Sequence, residues 1–472
     1  MQETQPIQTK TSSGNLTVWV LLGFFIVATI LTGILVYTQT RNFVASNKLL
    51  GPGVPVINNQ KTATANPLQT QTVVTPTEMI PEGPVAKAWD GASRVTILIM
   101  GLDYRDWRKK KTYSRTDTMI LLTVNPLDNT AGILSIPRDL WVNIPGYGYN
   151  KINTAYFLAQ ANKLPDGGPG LAIKTVEQFL GVPIDYYAQI DFGAFEQFID
   201  DIGGIDVDVP AEIKVDPIGK GNTVILQPGL QHLDGPTALA YARARNTTGA
   251  DFDRSDRQHQ VILAIRKRIL TLNMLPNLVR KAPKLYNELS SGIHTNLTLE
   301  QAIALAWLAK DIPDGNLRRG IIAPPDMVIP AKSPDGTLDI LKPITHKIRE
   351  LRDYIFAGTT SPLTENADPQ ELMQAEGARI TILNSSTMNG IATRTADFLK
   401  SKGVNIIQVG DANEKVFYTT LIFHTGKPHT LRYLIELMSI QPNCVRFQYD
   451  PNSQVDIVIQ IGTDWANTNP MP

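Results

Sequence analysis

Apolar and polar positions follow one texture after residue 94 and another before it. "RVTILIMGLD" is a short apolar run that stops at Gly101 and predicts a buried strand. "DTMILLTV" and "AGILSI" predict two more, joined by "NPLDNT", whose Pro, Asn and Asp are turn formers. Helical spacing follows at 153–163 and 168–180, then the strand-like "YYAQID", a helix over "FGAFEQFIDDIGG" and the alternating "IDVDVP". Residues 252–272 predict an amphipathic helix, and 275–356 read as mostly helical with proline breaks. Strands interleaved with helices predict an α/β fold, with a layered α-β-α domain around a central mixed sheet over 90–356.

"SPLTENADPQELMQAEG" breaks this pattern and predicts a linker at 357–376. Beyond it the alternation restarts: strand "RITILNSS", helix 389–402, strand "VNIIQVG", strand "TTLIFHTG", helix 428–439 and strand "VDIVIQIG". These predict a small separate α/β domain over 377–465.

Before residue 94 the texture differs. After a tail of residues 1–15, "LTVWVLLGFFIVATILTGILVY" (16–37) carries no charge. At ~1.5 Å per residue it would cover about 33 Å, enough for a hydrocarbon core of ~30 Å. It is longer than a signal-peptide core and continues into "TQTRNF", so it predicts a transmembrane anchor. Lys10 precedes the span while Arg41 and Lys48 follow it, so charge bias alone does not orient it. Residues 38–89, rich in Thr, Pro, Gln and Asn, predict a tether.

Composition narrows the chemistry. The 472 residues suggest two or three domains. Lys+Arg 44 balance Asp+Glu 44, so any basic patch must be local. One cysteine, Cys444, excludes an internal disulfide framework and a multi-cysteine zinc site, and the six histidines show no HExxH spacing. Nothing resembles a helix-turn-helix with a basic face, so no nucleic-acid partner is expected.

Local charge is uneven. No arginine occurs between Asp139 and Ala242, whereas Arg105, Arg108, Arg115, Arg138, Arg243, Arg245, Arg254 and Arg257 cluster on either side. The guanidinium fork suits phosphate oxygens. Arg243 and Arg245 in "YARAR" would share one face if that stretch is extended. Ser255 and Gln258 fit a capping box, which would start a helix there and set Arg254, Arg257 and Gln258 around an anion-favouring N-terminus. The block reads equally as a solvated first turn salt-bridged through Asp253 and Asp256. "RDWRKKK" (105–111) reads as a solvated loop able to touch anionic lipid. Asp103 ends the first strand and Asp117 opens the second, so pairing of these strands would bring both to one rim. Two carboxylates beside phosphate-binding arginines suit Mg²⁺, or Mn²⁺ in its place.

The motifs "ILIMGLDYR", "SRTDTMILLTVNP", "ILSIPRDLWVNIPGYG", "KINTAYF", "DDIGGIDVDVP", "LDGPTALAYARAR" and "DFDRSDRQHQVI" resemble, in this order, the LytR-CpsA-Psr family of cell-wall glycopolymer ligases over about 90–350. Residues 377–465 resemble the C-terminal domain of its LytR-like branch. The resemblance implies a membrane-anchored phosphotransferase, single-pass, with the bulk of the chain extracytoplasmic. It would move a glycopolymer from a polyprenyl-pyrophosphate carrier to peptidoglycan or another wall acceptor. Asp103 and Asp117 match metal-binding aspartates. Arg115, Arg138, Arg243, Arg245, Arg254, Arg257 and Gln258 match residues that hold the pyrophosphate, Arg138, Arg243 and Arg245 among them forming the catalytic set with Asp139. Asp139 matches a carboxylate beside the site and a candidate base, and Lys151 and Asn153 match the block lining its entrance. Asp253 and Ser255 depart from small or apolar residues common there. The lipid would need an apolar slot, drawn from runs such as 157–161 or 195–202, though either run could equally be plain core. A pyrophosphatase using water as acceptor, and a non-catalytic protein that binds lipid-linked precursors, are the alternatives.

Overall fold

The computed structural model describes residues 83–85, 88–102, 114–219, 221–247, 249–271, 278, 280, 281, 283, 292–357, 368–448, 450 and 453–471. The expected anchor at 16–37, most of the tether, Asp103 and the basic loop 105–111 lie outside these residues. Among the described residues no helix is long and apolar enough to cross a membrane.

In chain order the strands are β1 (Val95–Leu102), β2 (Thr116–Asn125), β3 (Thr130–Ser135), β4 (Trp141–Ile144), β5 (Gly148–Lys151), β6 (Tyr186–Ile190), β7 (Ile205–Val209), β8 (Ile213–Val215), β9 (Val224–Leu226), β10 (Gly229–Leu233), β11 (Ile293–Thr295), β12 (Leu317–Ile321), β13 (Val328–Lys332), β14 (Asp339–Pro343), β15 (Ile380–Asn384), β16 (Ile406–Asp411), β17 (Thr420–Phe423), β18 (Val445–Phe447) and β19 (Ile457–Ile461). The helices are α1 (Thr154–Ala161), α2 (Gly167–Leu180), α3 (Phe192–Asp201), α4 (Gly235–Arg243), α5 (Ala250–Thr271), α6 (Leu299–Asp311), α7 (Thr345–Phe356), α8 (Pro369–Glu376), α9 (Ile391–Ser401), α10 (Pro428–Met438) and α11 (Thr463–Thr468).

Six strands form a central sheet in the order β11-β6-β1-β2-β3-β12. The β1–β2, β2–β3 and β6–β11 pairs are antiparallel, while β1–β6 and β3–β12 are parallel, so the sheet is mixed. Strand alternation divides its side chains between two layers. Leu98, Met100, Leu102 and Leu134 pack on one face with Tyr156 of α1, Val176 and Leu180 of α2, and Ile348 and Ile355 of α7. On the other face His259 of α5 meets Ser135 of β3, and Val95 and Ile97 pack with Leu305 and Leu308 of α6. A further core joins Ile199 of α3, Ile205 and Val207 of β7, Tyr241 of α4 and Val261 of α5. The runs 157–161 and 195–202 fall within these packed helices: Ala159 and Ile199 are fully buried.

The C-terminal sheet is separate, in the order β16-β15-β19-β17-β18. Its core includes Ile380, Ile382, Leu431, Leu434, Ile457 and Ile459, and the same apolar cluster takes in Trp89, Tyr186, Ala304 and Leu305. The Trp89 ring stacks on Phe447 with centroids 5.1 Å apart. β18 has no counterpart in the sequence reading because its three residues carry too short a pattern.

Four local expectations are corrected. The stretch 293–343 holds four strands instead of mostly helix, and β12 joins the central sheet by pairing with β3, far away in sequence. "YARAR" is not extended: Tyr241–Arg243 end α4, whose Ala-rich sequence favours helix, and Arg245 lies past the helix end. α5 begins at Ala250, five residues before Ser255, because Asp251 and Asp253 suit a helix N-terminus and the Asp253 carboxylate accepts from Gly249 N at 2.9 Å. Ser255 then donates to the Asp251 carbonyl instead of capping. Within the expected linker, Pro369–Glu376 folds as α8, capped by Asp368, which accepts from Gln370 N.

Candidate phosphate-binding site

Two backbone irregularities build the site. The β1–β2 register slips between Gly101 and Leu102, which face Thr118 and Thr116, so Asp117 has no partner across the ladder. A bulge of this kind re-aims a side chain at the rim of a sheet. Beside it, β3 ends at Ser135 and the chain turns at Pro137, with Leu140 N donating to Pro137 O at 3.1 Å. Arg138 and Asp139 therefore occupy the corner of the turn. That corner is pinned by Asn153 N donating to Arg138 O at 3.3 Å and by Leu341 N of β14 donating to Asp139 O at 3.0 Å.

A cavity of about 430 Å³ opens at this corner. Asp117, Arg138, Asp139, Arg254 and Gln258 line it, together with Asp251, Ser135 and residues of the β13–β14 hairpin. Arg138 Nη1 donates to Asp117 Oδ1 at 2.8 Å, and its Nε lies 3.6 Å from Asp139 Oδ2 and 3.7 Å from Asp251 Oδ2. Lys151 Nζ donates to Asp139 Oδ1 at 2.7 Å. Arg245 Nε sits 3.0 Å and Arg254 Nη1 3.3 Å from Asp251 Oδ1, and Arg254 Nη2 donates to Asp117 O at 3.3 Å. Gln258 donates to Thr118 Oγ1 at 3.0 Å and to Ala242 O at 3.3 Å.

The remaining expected residues sit around this set. Arg257 is buried below it, donating to Ala244 O and Thr247 Oγ1, so it braces the α4–α5 connection. Asn153 is buried behind the Arg138 corner. Arg115 and Arg243 lie over the rings of Phe157 and Phe192, at 5.6 and 4.5 Å from the centroids, and do not line the cavity. Asp103 lies outside the described residues; Leu102, just before it, pairs opposite Thr116.

Asp251 was missed by the sequence reading, although it contacts Arg138, Arg245 and Arg254 together. The readable signal was local: Asp251 and Arg254 are spaced i, i+3 on one helix. His259 was also missed. It is buried against Ser135 Oγ at 2.8 Å, and burial holds its pKa down to about 4, so the ring is neutral at pH 7.

The charges are tightly coupled. Burial works against the Arg138 cation, but its hydrogen bond to Asp117 and the charges of Asp117, Asp139 and Asp251 outweigh it and raise its pKa. Burial lowers Arg254 to about 10, and it stays protonated at neutral pH. The Nε–H groups of Arg138, Arg254 and Arg257 are buried without a hydrogen-bond partner among the described residues. Of these three side chains, Arg138 and Arg254 line the cavity, where guanidinium groups suit a bound anion.

For a divalent ion, Asp117 is a hard oxygen donor on the cavity wall with one oxygen taken by Arg138. No group of three or more His, Cys, Asp or Glu side chains able to hold a metal occurs among the described residues. Asp117 by itself suits an ion whose other ligands are water or ligand oxygens.

Comparison with known proteins agrees with the motif order. The LytR_cpsA_psr family profile matches residues 56–318, and the profile described as LytR cell envelope-related transcriptional attenuator matches 377–465. The polyisoprenyl-teichoic acid–peptidoglycan teichoic acid transferase TagT of Bacillus subtilis is 35% identical over 221 residues, 46% of this chain and 64% of TagT. TagV of the same organism, a protein of the same description, is 35% identical over 44% of this chain and 51% of TagV. The regulatory protein MsrR of Staphylococcus aureus is 34% identical over 46% of this chain and 59% of MsrR. The chain thus spans less than two thirds of the length of these curated relatives. Among solved structures, that of B. subtilis TagV aligns with a TM-score of 0.46 at 28% identity, covering 56% of this chain and 96% of that one. TagT with bound octaprenyl pyrophosphate lipid aligns with a TM-score of 0.42 at 28% identity, covering 58% and 92%. Since the first family profile takes in more than half of the chain, the protein belongs to the LytR-CpsA-Psr family.

Proposed function

We propose that this protein transfers a glycopolymer from a polyprenyl-pyrophosphate carrier to a sugar hydroxyl of peptidoglycan. The observation that carries the reading is the convergence of Arg138, Arg254, Asp117 and Asp139 on one cavity wall, in a chain whose relatives are named teichoic acid transferases. In this reading the expected anchor makes the protein single-pass, with its bulk extracytoplasmic, so that the donor lipid stays in the membrane.

Phosphoryl transfer depends on positioning and on neutralising charge that builds on phosphate oxygens. Arg138 and Arg254 bind those oxygens, and Asp251 and Asp117 hold the two guanidinium groups in place. The acceptor hydroxyl oxygen bonds to the glycan-bearing phosphorus. The bond from that phosphorus to the oxygen of the polyprenyl phosphate breaks, and the lipid phosphate leaves with the electron pair. Asp139, fixed by Lys151, accepts the hydroxyl proton. Asp117, with Asp103, would hold Mg²⁺, which would supply positive charge to the pyrophosphate.

The test is direct. Purified full-length chain is given a polyprenyl-pyrophosphate oligosaccharide, Mg²⁺ and a peptidoglycan fragment, and both joined and free glycan are quantified. Joined product that disappears in Arg138→Ala and Asp117→Asn supports transfer. Free glycan without joined product would mean hydrolysis, and equal activity of wild type and Arg138→Ala would end the phosphate-grip reading.

A further inference from the structure

The β4–β5 hairpin leaves the phosphate corner and presents an aromatic face that the transfer mechanism does not use. Trp141 pairs across the ladder with Lys151, and Asn143 with Tyr149. Directly opposed residues share a face, so these four side chains stand together. The alternate positions Val142 and Ile144 are buried in the core, which turns the Trp141–Tyr149 face outward. Tyr149 is 66% exposed and Tyr147 36% exposed.

The presentation is rigid. Tyr147 N donates to Ile144 O at 2.9 Å, with Pro145 and left-handed Gly146 (φ 82) in the turn. Proline followed by a positive-φ glycine matches a type II turn, which fixes the hairpin tip at low entropic cost. The face borders the cavity through one contact. Lys151 on that face donates to Asp139, which lines the cavity and lies 3.6 Å from Arg138.

We propose that Trp141, Asn143 and Tyr149 form a saccharide subsite contiguous with the phosphate cavity. A pyranose ring carries axial C–H groups on one side that pack on an aromatic ring, and peripheral hydroxyl groups that pair with amides and carboxylates. The exposed Tyr149 ring and the half-buried Trp141 ring, beside the Asn143 amide and the Asp139 carboxylate, supply both. A membrane surface would also take Trp and Tyr, but Lys151, the cation on this face, is neutralised by Asp139 and adds little attraction to anionic lipid. The proposal deepens the transfer reading and rests on it, since that reading requires a glycan beside the phosphate.

The experiment titrates the full-length protein with a β-1,4-linked N-acetylglucosamine tetramer, with farnesyl pyrophosphate, and with phosphatidylglycerol vesicles. Tetramer binding that weakens about tenfold in Tyr149→Ala and recovers in Tyr149→Phe supports the subsite. Farnesyl pyrophosphate affinity, measured on the same samples, reports separately on the phosphate site and is expected to stay within about twofold in both variants. Carrier-linked saccharide distinguishes the source of the sugar. If Tyr149→Ala weakens it more than bare farnesyl pyrophosphate, the face holds the donor glycan. If only the free tetramer is affected, it holds the acceptor. Absence of tetramer binding to wild type, equal binding by Tyr149→Ala, or loss of vesicle binding alone would overturn the proposal.

Discussion

Arg138 Nη1 reaches Asp117 Oδ1 across 2.8 Å and so ties the corner after β3 to the bulge in β2. Both side chains are part-exposed, so this pair contributes little to stability by itself, about 0–1 kcal/mol. Its consequence is orientation: a guanidinium fork held on one side keeps its other donors aimed. Arg138→Ala is expected to lower affinity for farnesyl pyrophosphate by about 10–100-fold, since charge-assisted hydrogen bonds are worth about 1.5–3 kcal/mol. Titration calorimetry measures it, and an unchanged Kd would count against a phosphate role for this corner.

Asp251 joins α5 to three guanidinium groups. Replacing it with Ala leaves the buried Arg254 without its nearest counter-charge. The expected loss is about 1–3 kcal/mol of folding stability, read from urea unfolding. Asp256→Ala, on the same helix but outside that cluster, serves as control and is expected to change stability by less than about 0.5 kcal/mol.

His259 makes stability depend on pH. Its folded pKa, about 4, lies below the unfolded value of 6.5. Between those values the unfolded chain binds the extra proton, so stability is full above about pH 6.5 and falls as pH drops toward 4. The contribution is on the order of 3 kcal/mol. Wild type is expected to lose that much between pH 7.5 and 4, and His259→Gln is expected to show a flatter profile. Identical slopes would show that burial of this ring does not govern acid sensitivity.

Trp89 is 6% exposed and stacks on Phe447 of the C-terminal sheet. Removing its ring by Trp89→Ala opens a cavity in the cluster that both sheets share, at a cost of about 3–5 kcal/mol. Unfolding followed by near-ultraviolet circular dichroism is expected to show a lower midpoint. A midpoint unchanged from wild type would mean that the stacking is dispensable.

The site was legible wherever chemistry is carried by residue type. Arg138, Asp139, Asp117, Arg254 and Gln258 stand out by charge and spacing, and all five line the cavity. Arg115 and Arg243 share the same residue type but lie over Phe157 and Phe192, a placement set by which ring is close after folding. Asp251 looked like one acid among several because its three partners come from three segments of chain.

Sequence alone determined the alternation of strands and helices, because apolar periodicity is local and burial follows it directly. It also determined the charge inventory of the blocks around the candidate site. Tertiary structure decided the rest: the bulge that frees Asp117, the pairing of β12 with β3, the early start of α5 and the turn of "YARAR" into helix. Each depends on contacts between segments far apart in the chain, whose energies no short window of residues contains.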